Sequence, residues 1–337
     1  MPDRDEEPTA RPTAGRILIY GATGYTGTLI AEHAADRGLN ITVAGRNSDK
    51  VHRLADRLGV PSSVFEAGDV EAAATALASF DVLLNVAGPF RVTAEPLMRA
   101  AVQSRTHYLD TTAEFAIYQL AASMDDAAKR AGVMVMSGVG WDVVPTDSLA
   151  LHTARRVTDP EQLTLAIRVT GGFSRGSLAS AASIGAIGPL TLQSGTLREA
   201  SADGSRWFDA GAGDEEYTLA SMGDLVTAQH STGVDTIAVY LRTDSGFPDL
   251  DETAQGPSAE EREQGRYGAV AEVRGPGGQT ARSRIDTPSG YNFTQLSSVE
   301  IAARAAAGIF SPGFQSPASV YGPTLATSIA DTTITDL

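Results

Sequence analysis

The hydrophobic pattern opens with a short strand followed by a glycine-rich turn. Residues 17–20 are an apolar run rich in branched side chains, which predicts a buried strand. Glycines follow at positions 21, 24 and 27. A helical segment then places Leu29, Ile30, His33 and Ala34 on one face, and Gly38 is suited to end it. Residues 41–44 predict a second strand, so this stretch is typical of a βαβ unit.

Strands and helices keep alternating through the first half of the chain. Apolar runs predict further strands over residues 63–66, 81–86, 107–110 and 133–137. Helices are predicted over residues 48–58, 71–78, 93–101, 124–131 and 145–156, with another after a Thr-x-x-Glu capping box at residues 111–114. Asp69 and Thr93 are placed to cap two of these helices. This alternation predicts a parallel, doubly wound sheet.

The pattern changes at about Asp159. Strands are predicted over residues 163–170, 216–220 and 236–241, and a hairpin joins residues 269–274 to 280–285 through a Gly-Pro-Gly-Gly turn. Helices are predicted over residues 177–192 and 295–308. Residues 243–266 are acidic and contain Pro and Gly, which predicts a mobile surface loop.

These elements predict an α/β protein. Its N-terminal domain is a Rossmann-type doubly wound parallel sheet, and its second domain is α+β with a mixed or antiparallel sheet. We expect a disordered tail over residues 1–15, the nucleotide domain over 16–145 and a substrate or dimerisation domain over 146–300. Residues 301–337 are expected to form a C-terminal helix and tail that pack back on the first domain.

The glycine-rich turn predicts a dinucleotide site, because the backbone must approach a diphosphate at the N-terminus of the first helix. NAD sites usually carry Asp or Glu at the end of the second strand, about 20 residues past the glycines. This chain has Arg46 there, followed by Asn47. A guanidinium pairs with a 2′-phosphate, so we predict NADP(H) rather than NAD(H). The alternative is that Arg46 is a solvated loop cation.

Four parts of the fold are assigned to the cofactor. The turn contributes Gly21, Thr23, Gly24, Tyr25, Thr26 and Gly27, and the second strand end contributes Arg46 and Asn47. Asp69 and Val70 lie at the corner that passes the adenine, although helix capping explains Asp69 equally well. Ala87, Gly88 and Pro89 follow the fourth strand, where small residues let the backbone approach the nicotinamide ribose.

Composition narrows the classes of partner. The 337 residues carry 26 Lys and Arg against 41 Asp and Glu, a net charge of −15 that argues against nucleic acid or an anionic membrane as a main partner. There is no cysteine, so disulfides and thiolate chemistry are excluded, and the histidines lack metal-ligand spacing. The polar, acidic first residues resemble neither a signal nor a transit peptide, so a cytoplasmic protein is expected.

Candidates for proton transfer lie where strands of the parallel sheet end. Tyr108 and Asp110 end the fifth strand and point to the same face, and Asp142 follows the sixth. Helix capping is the competing explanation for Asp110 and Asp142. His107 and Thr111 lie nearby, and a structural role is favoured for His107.

A G-x-S-x-G sequence at residues 172–176 raises the alternative of a serine hydrolase. Asp224 and His230 follow in the chain order that such a triad requires. Because a nucleotide site begins the chain, we favour Ser174 as a helix cap, with Arg175 facing an anionic group of the substrate or of NADP.

Nine stretches carry a resemblance to a known family. They are GATGYTG (21–27), AGR (44–46), NVAGPF (85–90), THYLDTT (106–112), GVGWDVVPTD (138–147), SRGS (174–177), GDLVTAQHSTG (223–233), TPSGYNFTQLSSVEIA (287–302) and GFQSPASVYGP (313–323). On these residues the chain resembles the saccharopine dehydrogenase-like oxidoreductases, a family that includes trans-acting enoyl reductases. The resemblance implies a Rossmann domain, a second domain that carries the substrate face and NAD(P)-linked reduction. Many relatives have an extended apolar helical segment where this chain has the acidic residues 243–259.

The leading hypothesis is an NADPH-dependent reductase. It would transfer a hydride to a C=N or C=C bond, or alternatively a C=O bond, of a small metabolite between the two domains. The alternatives are a non-catalytic NADP(H)-sensing protein and the serine hydrolase that uses Ser174. A symmetric dimer through the second domain is the default expectation for an oligomer.

Overall fold

A computed structural model describes residues 15–200, 204–211, 213–243 and 255–337. Its strands are β1 (Ile17–Tyr20), β2 (Ile41–Gly45), β3 (Ser62–Val64), β4 (Val82–Asn85), β5 (His107–Asp110), β6 (Met134–Met136), β7 (Gln162–Val169), β8 (Leu190–Gln193), β9 (Thr196–Glu199), β10 (Ser205–Asp209), β11 (Asp214–Leu219), β12 (Ile237–Thr243), β13 (Arg266–Arg274), β14 (Thr280–Pro288), β15 (Gly313–Phe314) and β16 (Thr333–Asp336). Its helices are α1 (Tyr25–Asp36), α2 (Ser48–Leu58), α3 (Val70–Leu77), α4 (Phe90–Ser104), α5 (Phe115–Ser123), α6 (Asp125–Ala131), α7 (Val144–Ala154), α8 (Arg175–Ala186), α9 (Asp224–Thr232), α10 (Ala259–Gln264), α11 (Gly290–Ala306) and α12 (Pro317–Tyr321).

The first sheet has seven strands in the order β15-β6-β5-β4-β1-β2-β3, and every neighbouring pair is parallel. Its central strands are buried on both faces. Ile19 and Leu84 pack into one apolar cluster, and Leu18 and Leu83 pack into another on the opposite face. The chain order reverses between β1 and β4, which opens a crevice at their carboxyl ends. The predicted Rossmann-type sheet is confirmed.

The second sheet is mixed. Its main path is β10-β11-β12-β7-β13-β14-β16, and the β8–β9 hairpin joins it through β12. Strands β12 and β7 are parallel, whereas β13 is antiparallel to both β7 and β14. The largest apolar cluster contains Ile19 and Val82 of the first sheet together with Leu165 and Ala271 of the second, so the two sheets share a core. The predicted α/β fold with a second, mixed sheet is confirmed.

Several boundaries differ from the sequence prediction. The helix expected over residues 177–192 ends at Ala186, and residues 190–193 instead form β8. Its run of Ala, Ser and Gly gives no clear helix end before Gly188 and Pro189, where the chain turns. Within the predicted acidic loop, residues 259–264 are helix α10, which a capping box between Ser258 and Glu261 stabilises. The rest of that prediction, residues 244–254, lies outside the described residues.

The end of the chain reaches both sheets. The predicted return to the first domain holds for β15, which pairs with β6. The last strand, β16, pairs with β14 of the second sheet instead, because the Arg266 guanidinium binds Asp331 and the Arg156 guanidinium lies 2.8 Å from the Asp336 carboxylate. None of the helices in the described ranges combines the length and the apolar character needed to cross a membrane.

Candidate functional site

The turn between β1 and α1 requires glycine at two positions, Gly21 and Gly27. Gly21 has a φ of +85°, and a Cβ there would lie 2.7 Å from the Ala87 nitrogen. A Cβ on Gly27 would lie 2.2 Å from the Gly21 carbonyl oxygen, so α1 packs directly on the turn. Gly24 is the N-cap of α1 and has no side chain to bond the first N–H groups of the helix. Those groups form an anion site, which fits the diphosphate of a dinucleotide.

The end of β2 presents Arg46 to solvent. Its side chain is exposed and forms no ion pair with any residue that the structure describes. The neighbouring Asn47 caps α2, because its side-chain oxygen accepts a hydrogen bond of 2.9 Å from the Lys50 N–H. The guanidinium is therefore free to pair with a phosphate.

The structure is compatible with both explanations of Asp69, helix capping and a contact with the adenine. Its carboxylate caps α3 by accepting a hydrogen bond of 3.0 Å from the Ala72 N–H, as the capping alternative predicts. The side chain of Asp69 is nevertheless exposed, and Val70 begins the helix beside it. A carboxylate that is bonded on one side only can still accept from an exocyclic amine.

The loop after β4 is held rigidly beside the glycine turn. The Ala87 N–H donates to the Asn85 side chain at 3.0 Å, and the Thr93 hydroxyl donates to the Ala87 carbonyl at 2.6 Å. Helix α4 begins at Phe90, not at Thr93 as predicted, because the Glu114 carboxylate accepts from the Phe90 and Arg91 N–H groups at 2.9 and 3.0 Å. The predicted capping box at residues 111–114 is therefore wrong, since Glu114 caps α4 rather than α5.

A pocket opens between the two sheets, next to this loop. Its cavity volume is about 170 Å³. The first domain lines it with Thr26, Val86, Gly88, Phe90, Thr111 and Asp142. The second contributes Ile167, Phe173, Ser177, Met222, Leu241 and Tyr291. Because Thr26 and Gly88 also belong to the predicted cofactor site, the two sites are continuous.

Asp142 is the carboxyl group that faces this pocket. Helix α7 begins at Val144 with Val143 as its N-cap, so Asp142 does not cap it and the competing explanation fails. Burial raises the pKa of Asp142 to about 7, and the opposing hydrogen bond comes from its own backbone. A large fraction of this carboxyl is therefore protonated at neutral pH, where it can donate a proton.

Tyr108 and Asp110 share one strand face, as predicted, but that face lies beneath the pocket. Neither side chain lines the pocket, and both are fully buried. The Asp110 carboxylate accepts hydrogen bonds from the Thr112 N–H, the Ser137 hydroxyl and the Gly138 N–H at 2.8–3.1 Å. Burial raises its pKa to about 6. These groups fix the strand ends that carry the pocket, and we assign them no contact with the reacting atoms.

The three residues of the hydrolase alternative are not brought together. The Ser174 hydroxyl caps α8 by accepting from the Ser177 N–H at 3.3 Å. His230 instead contacts Gln315 at 3.4 Å and packs on Phe314, and Asp224 is fully buried and does not line the pocket. The described residues also contain no group of three or more His, Cys, Asp or Glu placed to hold a metal ion.

A segment of the second domain lies across the glycine turn, which the sequence did not predict. We call residues 255–264 the strap. Arg262 in the strap donates hydrogen bonds to the Tyr25 hydroxyl at 2.8 Å, the Pro257 carbonyl at 3.0 Å and the Asn292 side chain at 3.2 Å. The Tyr25 hydroxyl in turn donates to the Pro257 carbonyl. Because Tyr25 is the first residue of α1, the strap joins the second domain to the glycine turn.

Replacing Arg262 with methionine should loosen this connection. Loss of its hydrogen bonds removes about 1–2 kcal/mol of local stability, so amide hydrogen exchange in residues 255–264 should become about tenfold faster. Arg99→Met is the control, because Arg99 is exposed and forms only a 3.6 Å ion pair with Glu95. Equal exchange rates in the strap of R262M and the unaltered protein would show that Arg262 does not hold it.

Comparison with known proteins finds relatives that share part of this chain. Residues 17–136 match the family model of the saccharopine dehydrogenase NADP binding domain. A mouse saccharopine dehydrogenase-like oxidoreductase is 28% identical over a segment that covers 42% of this chain and 38% of the relative. A trans-acting enoyl reductase of Mycobacterium ulcerans is 30% identical, over 42% of this chain and 36% of the relative. The chain thus spans well under half of the length of these curated relatives.

A solved structure matches nearly the whole fold. Apo saccharopine dehydrogenase (L-Glu forming) from Saccharomyces cerevisiae has a TM-score of 0.66, with 96% of this chain and 100% of that chain covered. The two sequences are 13% identical, so this likeness concerns the fold.

Proposed function

We propose that the chain is an NADPH-dependent reductase of a small metabolite bound between its two domains. The match of residues 17–136 to the saccharopine dehydrogenase NADP binding domain and the similarity to saccharopine dehydrogenase-like oxidoreductases and trans-acting enoyl reductases support this proposal. The bond reduced is C=N or C=C, with C=O as a further alternative. The observation that carries this proposal is the position of Asp142, a carboxyl with a pKa of about 7 in a pocket that adjoins the glycine turn. Hydride transfer needs a donor, an acceptor and a proton source in one dry pocket, and this pocket offers places for all three.

Different residues have different roles in the proposed reaction. The N–H groups at the start of α1 would hold the diphosphate, and the loop at Ala87 and Gly88, of which Gly88 lines the pocket, would hold the nicotinamide end of the cofactor. NADPH held in this way would provide the hydride for one atom of the double bond, with NADP⁺ as the product. Asp142 supplies the proton to the other end of the reduced system and is reprotonated from solvent, so charge and atoms balance. The apolar side chains that line the pocket exclude water from the reacting atoms.

A panel of imines, enoyl compounds and ketones tests this proposal, with NADPH oxidation as the readout. We expect at least one class to be reduced, with one NADPH consumed per molecule of product. Tight binding of NADPH without reduction of any class would contradict it and would favour the NADP(H)-sensing alternative.

The preference for NADPH is assigned to Arg46. Arg46→Asp should weaken NADPH binding by about 10- to 100-fold, because a charge-assisted pair is lost and a repulsion is added. NADH lacks the 2′-phosphate, so its affinity should change little. Arg198→Asp makes the same charge change on an exposed residue of β9 and should leave both affinities unaltered. The measurement is calorimetric titration with each nucleotide, and an equal loss for NADPH and NADH would contradict the assignment.

A further inference from the structure

The charges of the residues that line the pocket indicate which class of substrate it can bind. None of the described residues that line it is Lys, Arg or His, and Asp142 is the acidic one. An anionic group bound here would be removed from water with no cation beside it, which is strongly unfavourable.

Most of the polar groups in the lining already bond to the protein. The Trp141 ring lines the pocket while its indole N–H donates to the Thr287 hydroxyl at 2.7 Å. The hydroxyls of Tyr291 and Ser177 bond each other at 2.7 Å, and Thr294 accepts from the Trp141 backbone N–H at 3.0 Å. These groups therefore present an inner surface with few free hydrogen-bonding positions. The Asp142 carboxyl differs from these groups, because its hydrogen bond is to its own backbone.

The arginines next to the pocket in sequence do not change this picture. Arg168 and Arg242 follow the lining residues Ile167 and Leu241, but both pair with the Glu215 carboxylate, at 2.8 and 3.2 Å. Arg91 and Arg175 each follow a lining residue in the sequence, but both side chains are exposed. An ion pair in that position is weakened by solvent and salt. The earlier expectation that Arg175 faces an anionic group therefore receives no support from the pocket, although it can still meet solvent-exposed parts of a ligand.

We infer that the substrate is an uncharged, largely apolar molecule whose reducible bond is not attached to a carboxylate, so the site selects against amino acids and keto acids. This inference rests on the proposed reductase function for its reaction but not for its binding preference. An α,β-unsaturated ketone or aldehyde with an apolar substituent has the required chemistry. In such a molecule the hydride goes to the β-carbon and the proton to the α-carbon, which leaves the saturated carbonyl compound and NADP⁺.

The binding preference can be measured without turnover. Benzylacetone and hydrocinnamate have nearly the same shape, and only the second is charged. In calorimetric titrations of the full chain without nucleotide, where no cationic nicotinamide ring lies beside the ligand, we expect benzylacetone to bind at least about 100-fold more tightly than hydrocinnamate. Equal affinities, tighter binding of hydrocinnamate, or no binding of benzylacetone at millimolar concentration would overturn the inference.

A charge placed in the pocket should reverse part of the preference. Val169 lines the pocket at the end of β7 and is partly exposed, so a longer side chain can be accommodated there. Val169→Lys should raise the affinity for hydrocinnamate by about tenfold or more relative to Val169→Met, the uncharged control of similar length. No difference between the two variants would overturn the inference that a missing cation excludes carboxylates.

Turnover separates this inference from the proposed function. Benzylideneacetone and cinnamate are the reducible counterparts of the two probes. Selective binding of benzylacetone with no NADPH oxidation by benzylideneacetone supports the ligand class and counts against the reductase. Reduction of cinnamate in preference to benzylideneacetone supports a reductase and overturns the ligand class.

Discussion

Replacing Asp142 with asparagine should lower the rate of hydride transfer by about 100- to 10,000-fold while NADPH binds as before. Asparagine keeps the shape of the side chain but has no acidic proton to give. Asp142 faces the substrate pocket and does not reach the predicted diphosphate site, so cofactor affinity should be unaffected. The measurement is single-turnover oxidation of NADPH by rapid mixing.

The control for this change is Asp224→Asn. Burial also raises the pKa of Asp224 to about 7, but its side chain does not line the pocket. D224N should therefore retain the wild-type rate, whereas a rate in D142N above a tenth of the wild-type value would remove Asp142 from the mechanism.

The pH dependence of the rate also tests whether Asp142 acts as a general acid. A general acid works in its protonated form, so the rate should be full below about pH 7, the pKa of Asp142, and fall as the pH rises through it. D142N should lack this alkaline fall. A rate that rises with pH across the same interval would mean that the group acts as a base instead.

Replacing Gly24 with valine should lower NADPH affinity by more than about 100-fold without unfolding the protein. A Cβ on Gly24 would lie 3.4 Å from the Gly21 carbonyl oxygen, an ordinary contact, and the φ of −78° suits any residue. The side chain would instead occupy the space where a diphosphate approaches the N-terminus of α1. Calorimetry measures the affinity, and thermal unfolding measures the stability.

Two comparisons make the Gly24 result specific. Gly188→Val adds the same side chain where nothing lies within 4 Å, and it should change neither affinity nor stability. Gly27→Val should also destabilise the fold, since its Cβ would lie 2.2 Å from the Gly21 oxygen. Normal NADPH binding by G24V would place the cofactor elsewhere.

The nucleotide half of the fold could be predicted because its determinants are local. The strand at residues 17–20, the glycine spacing and the position of Arg46 each follow from short-range geometry, and the first sheet has the strand order that they imply. The shared face of Tyr108 and Asp110 also followed from strand alternation. The alternation of side chains along one strand could not show that Asn85 bonds Tyr108 and Ser137 bonds Asp110, because these contacts come from neighbouring strands.

The pocket could not be predicted because its two sides come from distant parts of the chain. Trp141 meets Thr287 and Thr294, about 150 residues away, and Tyr25 meets Arg262 across an even longer separation. The role of Glu114 was missed for a similar reason, since a capping box looks the same in sequence whether Glu caps its own helix or another. The TPSGYNFTQ stretch, which supplies Tyr291 and Thr294, was the available sign that residues beyond the Rossmann domain reach the site.

Calorimetric titration of the unaltered protein with NADPH and then with NADH tests the central claim most directly. If the glycine turn holds the diphosphate and Arg46 pairs with the 2′-phosphate, NADPH will bind one per chain and at least about tenfold more tightly than NADH. The absence of binding heat with either nucleotide, confirmed at a second temperature, would contradict the account.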